Sequence, residues 1–236
     1  MGFDAHQALY LPYLYVMMQL GAICAGFLIL SSHLKTLVRG LTQGEHEGKH
    51  LLACLILAFI PTGAAGLLLA SFIKPIQAVA VLPLTLAAGG MIMLAVEFLY
   101  KKRNNLNPQP LRQLSFWQAL VIGGCQALSL VPGMSRSMTS IAGGYCVGLG
   151  RKDAVVFSFL LGIVTIGAAS CYELIAYLLS DAPTIPLSAW AVALLASFLT
   201  ALTVASGWLQ LLIRYGLVPF ALYRFLVAAW IYTLCG

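Results

Sequence analysis

The sequence predicts an all-α membrane protein, a polytopic bundle of about six transmembrane helices with a re-entrant hairpin in its second half. Three observations carry that prediction. Hydrophobic residues make up 61% of the 236-residue chain and charged residues only 8%, against about 25% charged in ordinary soluble domains. Apolar runs come close to or exceed the ~20 residues that a helix needs to cross a hydrocarbon core of about 30 Å. The basic residues gather in short clusters at the ends of those runs, which is the positive-inside pattern.

The first apolar run is Leu9 to Leu30. A cleaved signal peptide carries basic residues in front of its apolar stretch. Here the chain begins Met1-Gly2-Phe3-Asp4-Ala5-His6, and Lys35 and Arg39 follow the run, so it is read as a retained anchor. The polar connection Ser31 to His50 is then cytoplasmic. Runs at Leu51 to Ile73 and Ala78 to Tyr100 form the next two helices, with Lys74 and Pro75 outside between them. Lys101, Lys102 and Arg103 open a second cytoplasmic connection that reaches Gln113.

Arg151 and Lys152 form the next basic cluster and belong on the same side, so Leu114 to Gly150 must cross an even number of times. A polar break, Val131-Pro132-Gly133-Met134-Ser135-Arg136-Ser137, splits this stretch into two apolar halves of fewer than 20 residues. A re-entrant hairpin with the break at its tip meets both conditions. Beyond it come Ala154 to Leu179, an outer loop at Asp181 to Pro186, Leu187 to Leu212, an inner Arg214, and a last helix from Leu217 to Leu234. No long linker or low-complexity tract interrupts residues 1–236, which are read as a single transmembrane domain. The net charge of +6 is accounted for by the end clusters, so no nucleic-acid partner is expected. The six cysteines lie in apolar stretches without C-x-x-C spacing and are read as buried, unpaired thiols.

Non-helical backbone at membrane depth is tolerated only where protein or a water-filled cavity satisfies its polar groups. Arg136 at a helix centre would cost roughly 2.5 to 3.5 kcal/mol on insertion scales, and Ser135, Ser137, Thr139 and Ser140 surround it with hydroxyls. That composition suits a phosphate. A guanidinium fork takes two oxygens at once, hydroxyls donate to others, and a helix beginning near Ser137 offers its N-terminal N–H groups. The alternative is that Arg136 snorkels and the hydroxyls bond back to helix carbonyls.

Gln126-Ala127-Leu128-Ser129-Leu130-Val131-Pro132-Gly133-Met134-Ser135-Arg136-Ser137, the pair Gly143-Gly144, and Arg151 to Leu161 match without gaps a pattern of about 36 residues. That pattern, roughly Q-A-L-x-x-I-P-G-x-S-R-S-G-x-T, paired glycines and S-R-x-x-A-x-x-F-S-F-L-L, resembles the second signature of the undecaprenyl-diphosphate phosphatase family of bacterial inner membranes, also known for bacitracin resistance. Weaker echoes extend the likeness: Gln19 to Ala22, Ile60 to Leu67, and Pro219 to Arg224. The resemblance implies release of phosphate from undecaprenyl diphosphate, with bacitracin competing for the same lipid. It implies that Ser135 and Arg136 are catalytic, and that Gly133, Ser137, Thr139, Ser140 and Gln126 bind substrate. It also implies a divalent cation, Mg²⁺ or Ca²⁺, as a cofactor option, and leaves a homodimer open.

Two departures qualify the likeness. The family's first signature, E-G-x-T-E-F-L-P-x-S-S-x-G-H, lies upstream of the Q-L-G-A helix, and its glutamates and histidine have no counterpart in this sequence, so slower catalysis is expected. In the loop, Met138 stands where the family has glycine, and Ser140 where it has threonine, with Thr139 one place earlier. Asp4, His6, Glu97, Asp153 and Glu173 are the nearest substitutes for a base; Asp153 is read as a helix-start residue. His46-Glu47-Gly48-Lys49-His50 reads H-E-x-x-H, which on a helix would offer zinc two histidines. Gly48 weakens a helix there, and a solvated cytoplasmic loop is expected. A membrane metalloprotease and a polyprenyl-phosphate carrier stand as the rival readings.

Overall fold

The computed structural model describes residues 5–73, 81–103, 108–180 and 185–235. The described residues form nine α-helices: α1 Ala5–Ile29, α2 Ser31–Thr42, α3 His46–Ile73, α4 Leu82–Arg103, α5 Phe116–Ala127, α6 Arg136–Cys146, α7 Arg151–Leu178, α8 Leu187–Tyr215 and α9 Val218–Cys235. Each apolar run of the sequence has become one helix. Four of these, α3, α4, α7 and α8, are long and apolar enough to cross a membrane alone. The chain bends by 85° between α1 and α2, and α9 is shorter, at 18 residues and about 27 Å. By length, the described residues hold four spanning helices, or five if the bent pair counts as one, with the final apolar helix shorter than the six expected crossings would have it.

One expectation is corrected. The connection Ser31 to His50 is mostly helical, because Leu34, Leu37, Val38 and Leu41 recur at helical spacing and give α2 an apolar stripe. The H-E-x-x-H residues are the first turn of α3 rather than a loop. The outer connections at Lys74-Pro75 and Asp181 to Thr184, and also Asp4, lie outside the described residues.

Two compact units are distinguishable. Residues 1–35 and 162–208 make one, holding α1, most of α7 and most of α8. Ser170 Oγ donates to Gln19 Oε1 at 2.7 Å, and the rings of Tyr13, Tyr177 and Trp190 lean on one another at 4.4 and 5.4 Å. Gly21 lets α1 lie directly on Leu194 and Ser197, where a Cβ would collide. Apart from Leu212, no residue of α8 is buried although its mean hydropathy is 2.0. An apolar surface of that extent has hydrocarbon as its natural solvent.

Residues 36–161 and 209–236 make the other unit, which contains the whole hairpin. Here α5 packs on α3 and on α6, and α4 packs on α9 and α6. Gly40 and Gly48 bring α2 and α3 into backbone contact. The end of α4, the start of α7 and the start of α9 meet at one place. Arg151 N–H donates to the Tyr100 hydroxyl at 2.9 Å, and Leu217 N–H to Glu97 Oε2 at 3.1 Å. Gln109 pairs in parallel with Leu149 beside them. The hairpin thus returns to the end of α4 where it began, as the parity of the basic clusters requires.

Candidate phosphate-binding site

The hairpin is built from local signals. Ser115 caps α5 in a reciprocal box: its hydroxyl accepts from Gln118 N–H at 3.2 Å, and its own N–H donates to Gln118 Oε1 at 2.8 Å. Gly123 allows α5 to touch the carbonyl of Ala58 on α3, and Thr62 Oγ1 donates to the Gly123 carbonyl at 3.0 Å. After α5, residues 128–130 tighten into a 3₁₀ turn, and the chain reverses at Val131-Pro132-Gly133-Met134. Met134 N–H bonds to the Val131 carbonyl at 3.0 Å and Gly133 has φ +85°. Proline second and a positive-φ glycine third is the signature of a type II turn.

Ser135 then serves as the N-cap of α6, with φ −90°, ψ 128° and its hydroxyl accepting from Met138 N–H at 3.4 Å. The helix starts at Arg136, one residue before the predicted start. Gly143 sits on Cys125 and Ile122 of α5, and Gly144 on Ala154 of α7, so α6 is wedged between the two and Met138 to Tyr145 are all buried.

This placement divides the hydroxyls. Ser137 and Arg136 are exposed and Ser135 is half-exposed; the two serine hydroxyls stand 3.2 Å apart. The guanidinium of Arg136 forms no hydrogen bond or ion pair with the described residues, so its fork is available to a ligand. Thr139 and Ser140 lie deeper along the helix. Both are buried, and their hydroxyls donate to the carbonyl of Arg136 at 3.0 and 2.8 Å. Ser140 Oγ also meets Ser158 Oγ of α7 at 2.6 Å. Gln126 is 1% exposed, yet neither polar atom of its amide has a hydrogen-bond partner among the described residues. Such an orphan is costly unless a ligand completes it.

The model for the family described as bacitracin resistance protein BacA matches residues 1–230. The chain belongs to the BacA family. It is 39% identical to an undecaprenyl-diphosphatase of Sorangium cellulosum (strain So ce56) over 230 residues, 95% of this chain and 74% of that protein. Undecaprenyl-diphosphatase 1 of Chromobacterium violaceum is 37% identical over 214 residues, 89% and 76% of the two chains. A Persephonella marina undecaprenyl-diphosphatase is 38% identical over 177 residues, 73% and 67% of the two chains.

In this BacA chain the remaining polar candidates lie apart from the loop's bonding network. His46 and His50 stack at 6.2 Å, and His50 rests on Phe116 at 5.2 Å. Among the described residues no three His, Cys, Asp or Glu side chains assemble to hold a metal. The donors around the turn are hydroxyls, backbone groups and a guanidinium, a set that does not fit a divalent cation. Glu173 is exposed on α7, and Asp153 lies in that helix's first turn. Glu97 is buried against Arg151. Cys54 is buried, its thiol 3.6 Å from the Leu114 carbonyl, whereas Cys24, Cys146 and Cys171 are exposed rather than buried. Sequence reasoning gave no role to Ser158, which meets Ser140, or to Arg224, whose guanidinium donates to the Gly133 carbonyl. The second was signalled by its position, since an arginine inside an apolar run is a functional pointer by default.

Proposed function

We propose that this protein is an undecaprenyl-diphosphate phosphatase of the bacterial inner membrane, with Arg136 and Ser135 at its reaction centre. It removes the terminal phosphate of the lipid diphosphate and returns the monophosphate carrier to cell-wall synthesis. The observation that carries the site is the uncommitted guanidinium of Arg136, exposed at the N-terminus of α6, with Ser135 and Ser137 flanking it in sequence. Resistance to bacitracin follows from competition for the same lipid.

The loop's geometry suits a phosphoryl group. Arg136 grips two oxygens of the terminal phosphate as a bidentate fork, and the first free N–H groups of α6 with the Ser137 hydroxyl take the rest. Gly133 shapes the site from behind, letting the turn lie directly against α4 where a Cβ would meet Thr85 Oγ1. Thr139 and Ser140 act on the substrate through the helix start they brace, and the amide of Gln126 completes its bonds on the substrate. Hydrolysis adds water across the P–O–P anhydride, with attack on the terminal phosphorus by water or by Ser135 Oγ followed by water; the lipid monophosphate leaves and inorganic phosphate is released. Positioning and charge neutralisation supply most of such a reaction. Ser135 must first surrender the Met138 N–H that it now caps.

The test is phosphate release from undecaprenyl diphosphate by the purified chain in liposomes. Release should depend on protein and fall to background in Arg136→Ala. Tight lipid binding with no release above that variant would leave the carrier reading in place instead.

A further inference from the structure

We infer that Arg224, on α9, is a positioning residue for the phosphate loop: its guanidinium ties the turn at Gly133 to helix α4. The inference takes its ligand from the phosphatase reading above. Arg224 is 7% exposed, and its guanidinium reaches three backbone carbonyls on two separate segments. Nε donates to Leu86 O at 3.2 Å, and Nη2 donates to Thr85 O at 3.3 Å and to Gly133 O.

The surroundings are cut to admit it. Gly89, one turn after Thr85 on α4, has no side chain where a Cβ would run into the guanidinium. Gly90 does the same for the ring of Phe225. On the loop side, a Cβ at Gly133 would strike Thr85 Oγ1, so the turn sits against α4 itself. The guanidinium therefore fills a slot between α4 and the loop, and it donates toward the backbone rather than toward the open face where Arg136 and Ser137 are exposed.

Gly133 is two residues before the capping Ser135, so the orientation of its peptide fixes the entry angle of α6 and with it the fork of Arg136. The planar guanidinium holds the three carbonyls from two nitrogens at a fixed spacing, whereas a lysine ammonium at the Nη2 position would lose the Nε bond to Leu86 O and the fixed geometry. No acidic side chain is bonded to Arg224 among the described residues, so its charge lies behind the turn and reinforces the field at the start of α6.

The experiment uses the full chain in liposomes and three variants, Arg224→Met, Arg224→Lys and Gly89→Ala. Alanine favours a helix interior over glycine, so Gly89→Ala keeps α4 intact while displacing the guanidinium, and it carries the test even if Arg224→Met fails to fold. Arg224→Met and Gly89→Ala should each weaken binding of undecaprenyl diphosphate at least tenfold, Arg224→Lys less than Arg224→Met. The double variant should bind no worse than the weaker single one, because both act through one contact. Hydrogen exchange of the Val131 to Met138 segment, which needs no substrate, should quicken about tenfold in both. Binding within twofold of wild type in folded Gly89→Ala and Arg224→Met, losses that multiply in the double variant, or unchanged exchange would overturn the inference. A wild type that binds the lipid but releases no phosphate defeats the phosphatase reading alone, since binding and exchange still judge Arg224.

Discussion

Arg136 and its neighbours show how little separates a structural hydroxyl from a chemical one. Along α6 each residue rises about 1.5 Å, so Arg136 and Ser137 stay in the exposed first turn beyond the cap at Ser135, and Thr139 and Ser140 lie deeper, where the neighbouring helices cover them. The buried pair closes the carbonyl of Arg136, and the exposed pair keeps its donors for a ligand. Arg136→Ala should therefore weaken undecaprenyl-diphosphate binding by about 1.5–3 kcal/mol, the usual worth of hydrogen bonds to a charged group. Arg136→Lys should lose less, because the charge survives and only the fork is gone. Titration of the lipid by both variants checks this, and equal binding by all three proteins would make Arg136 structural. The histidines at the start of α3 serve as the contrast. With His50 leaning on Phe116 and no three metal-ligating side chains assembled among the described residues, His46→Ala with His50→Ala should leave phosphate release within about twofold. Stoichiometric zinc lost together with activity would show the opposite.

At the scale of the helices, the legible features were those set by solvent and charge. Six apolar runs became six helices because hydrocarbon demands internally bonded backbone, and the parity of the basic clusters alone predicts a hairpin. The break at Pro132 and Gly133 was legible for a local reason, since that pair specifies its own turn. What escaped depended on neighbours far away in sequence. Helix α2 reads as a loop because its polar residues hide a stripe visible only at the helical period. The contact of Arg224 with Gly133 joins residues 91 apart, and nothing in either segment names the other. The burial of Thr139 and Ser140 depends on how far along α6 the other helices reach. That cover rests on glycine: Gly123 lies against the carbonyl of Ala58, and Gly143 against Ile122 and Cys125. Gly123→Val should push α5 off α3 at a cost of about 1–3 kcal/mol, the usual penalty for overpacking. Thermal unfolding in detergent reads it, and a variant as stable as wild type would mean that α3 and α5 are not in contact there.

Across the unit that holds the hairpin, one buried cluster joins helices that the loops leave separate. Glu97, near the end of α4, accepts from the Arg151 guanidinium at the start of α7 and from Leu217 N–H at the start of α9. Arg151 lies over the ring of Tyr100, 5.4 Å from its centre, and Tyr100 stacks on Tyr145 of α6 at 4.0 Å. Gly216, with φ +70°, leaves room where a Cβ would strike the Glu97 carboxylate. A carboxylate at the first amide of α9 also suits the positive end of that helix. Removing one member of a buried pair strands the other charge, so Glu97→Ala should cost about 3–5 kcal/mol of stability. Replacing both partners by apolar residues, Glu97→Leu with Arg151→Met, should restore part of the loss. The site itself should be spared, because Glu97 is 12 residues along α4 from Thr85, about 18 Å of helix rise. Lipid diphosphate binding measured per folded molecule should stay within twofold of wild type while the unfolding temperature falls. If affinity fell with the stability, the junction and the phosphate loop would be coupled through α4, and the separation argued from their distance would not hold.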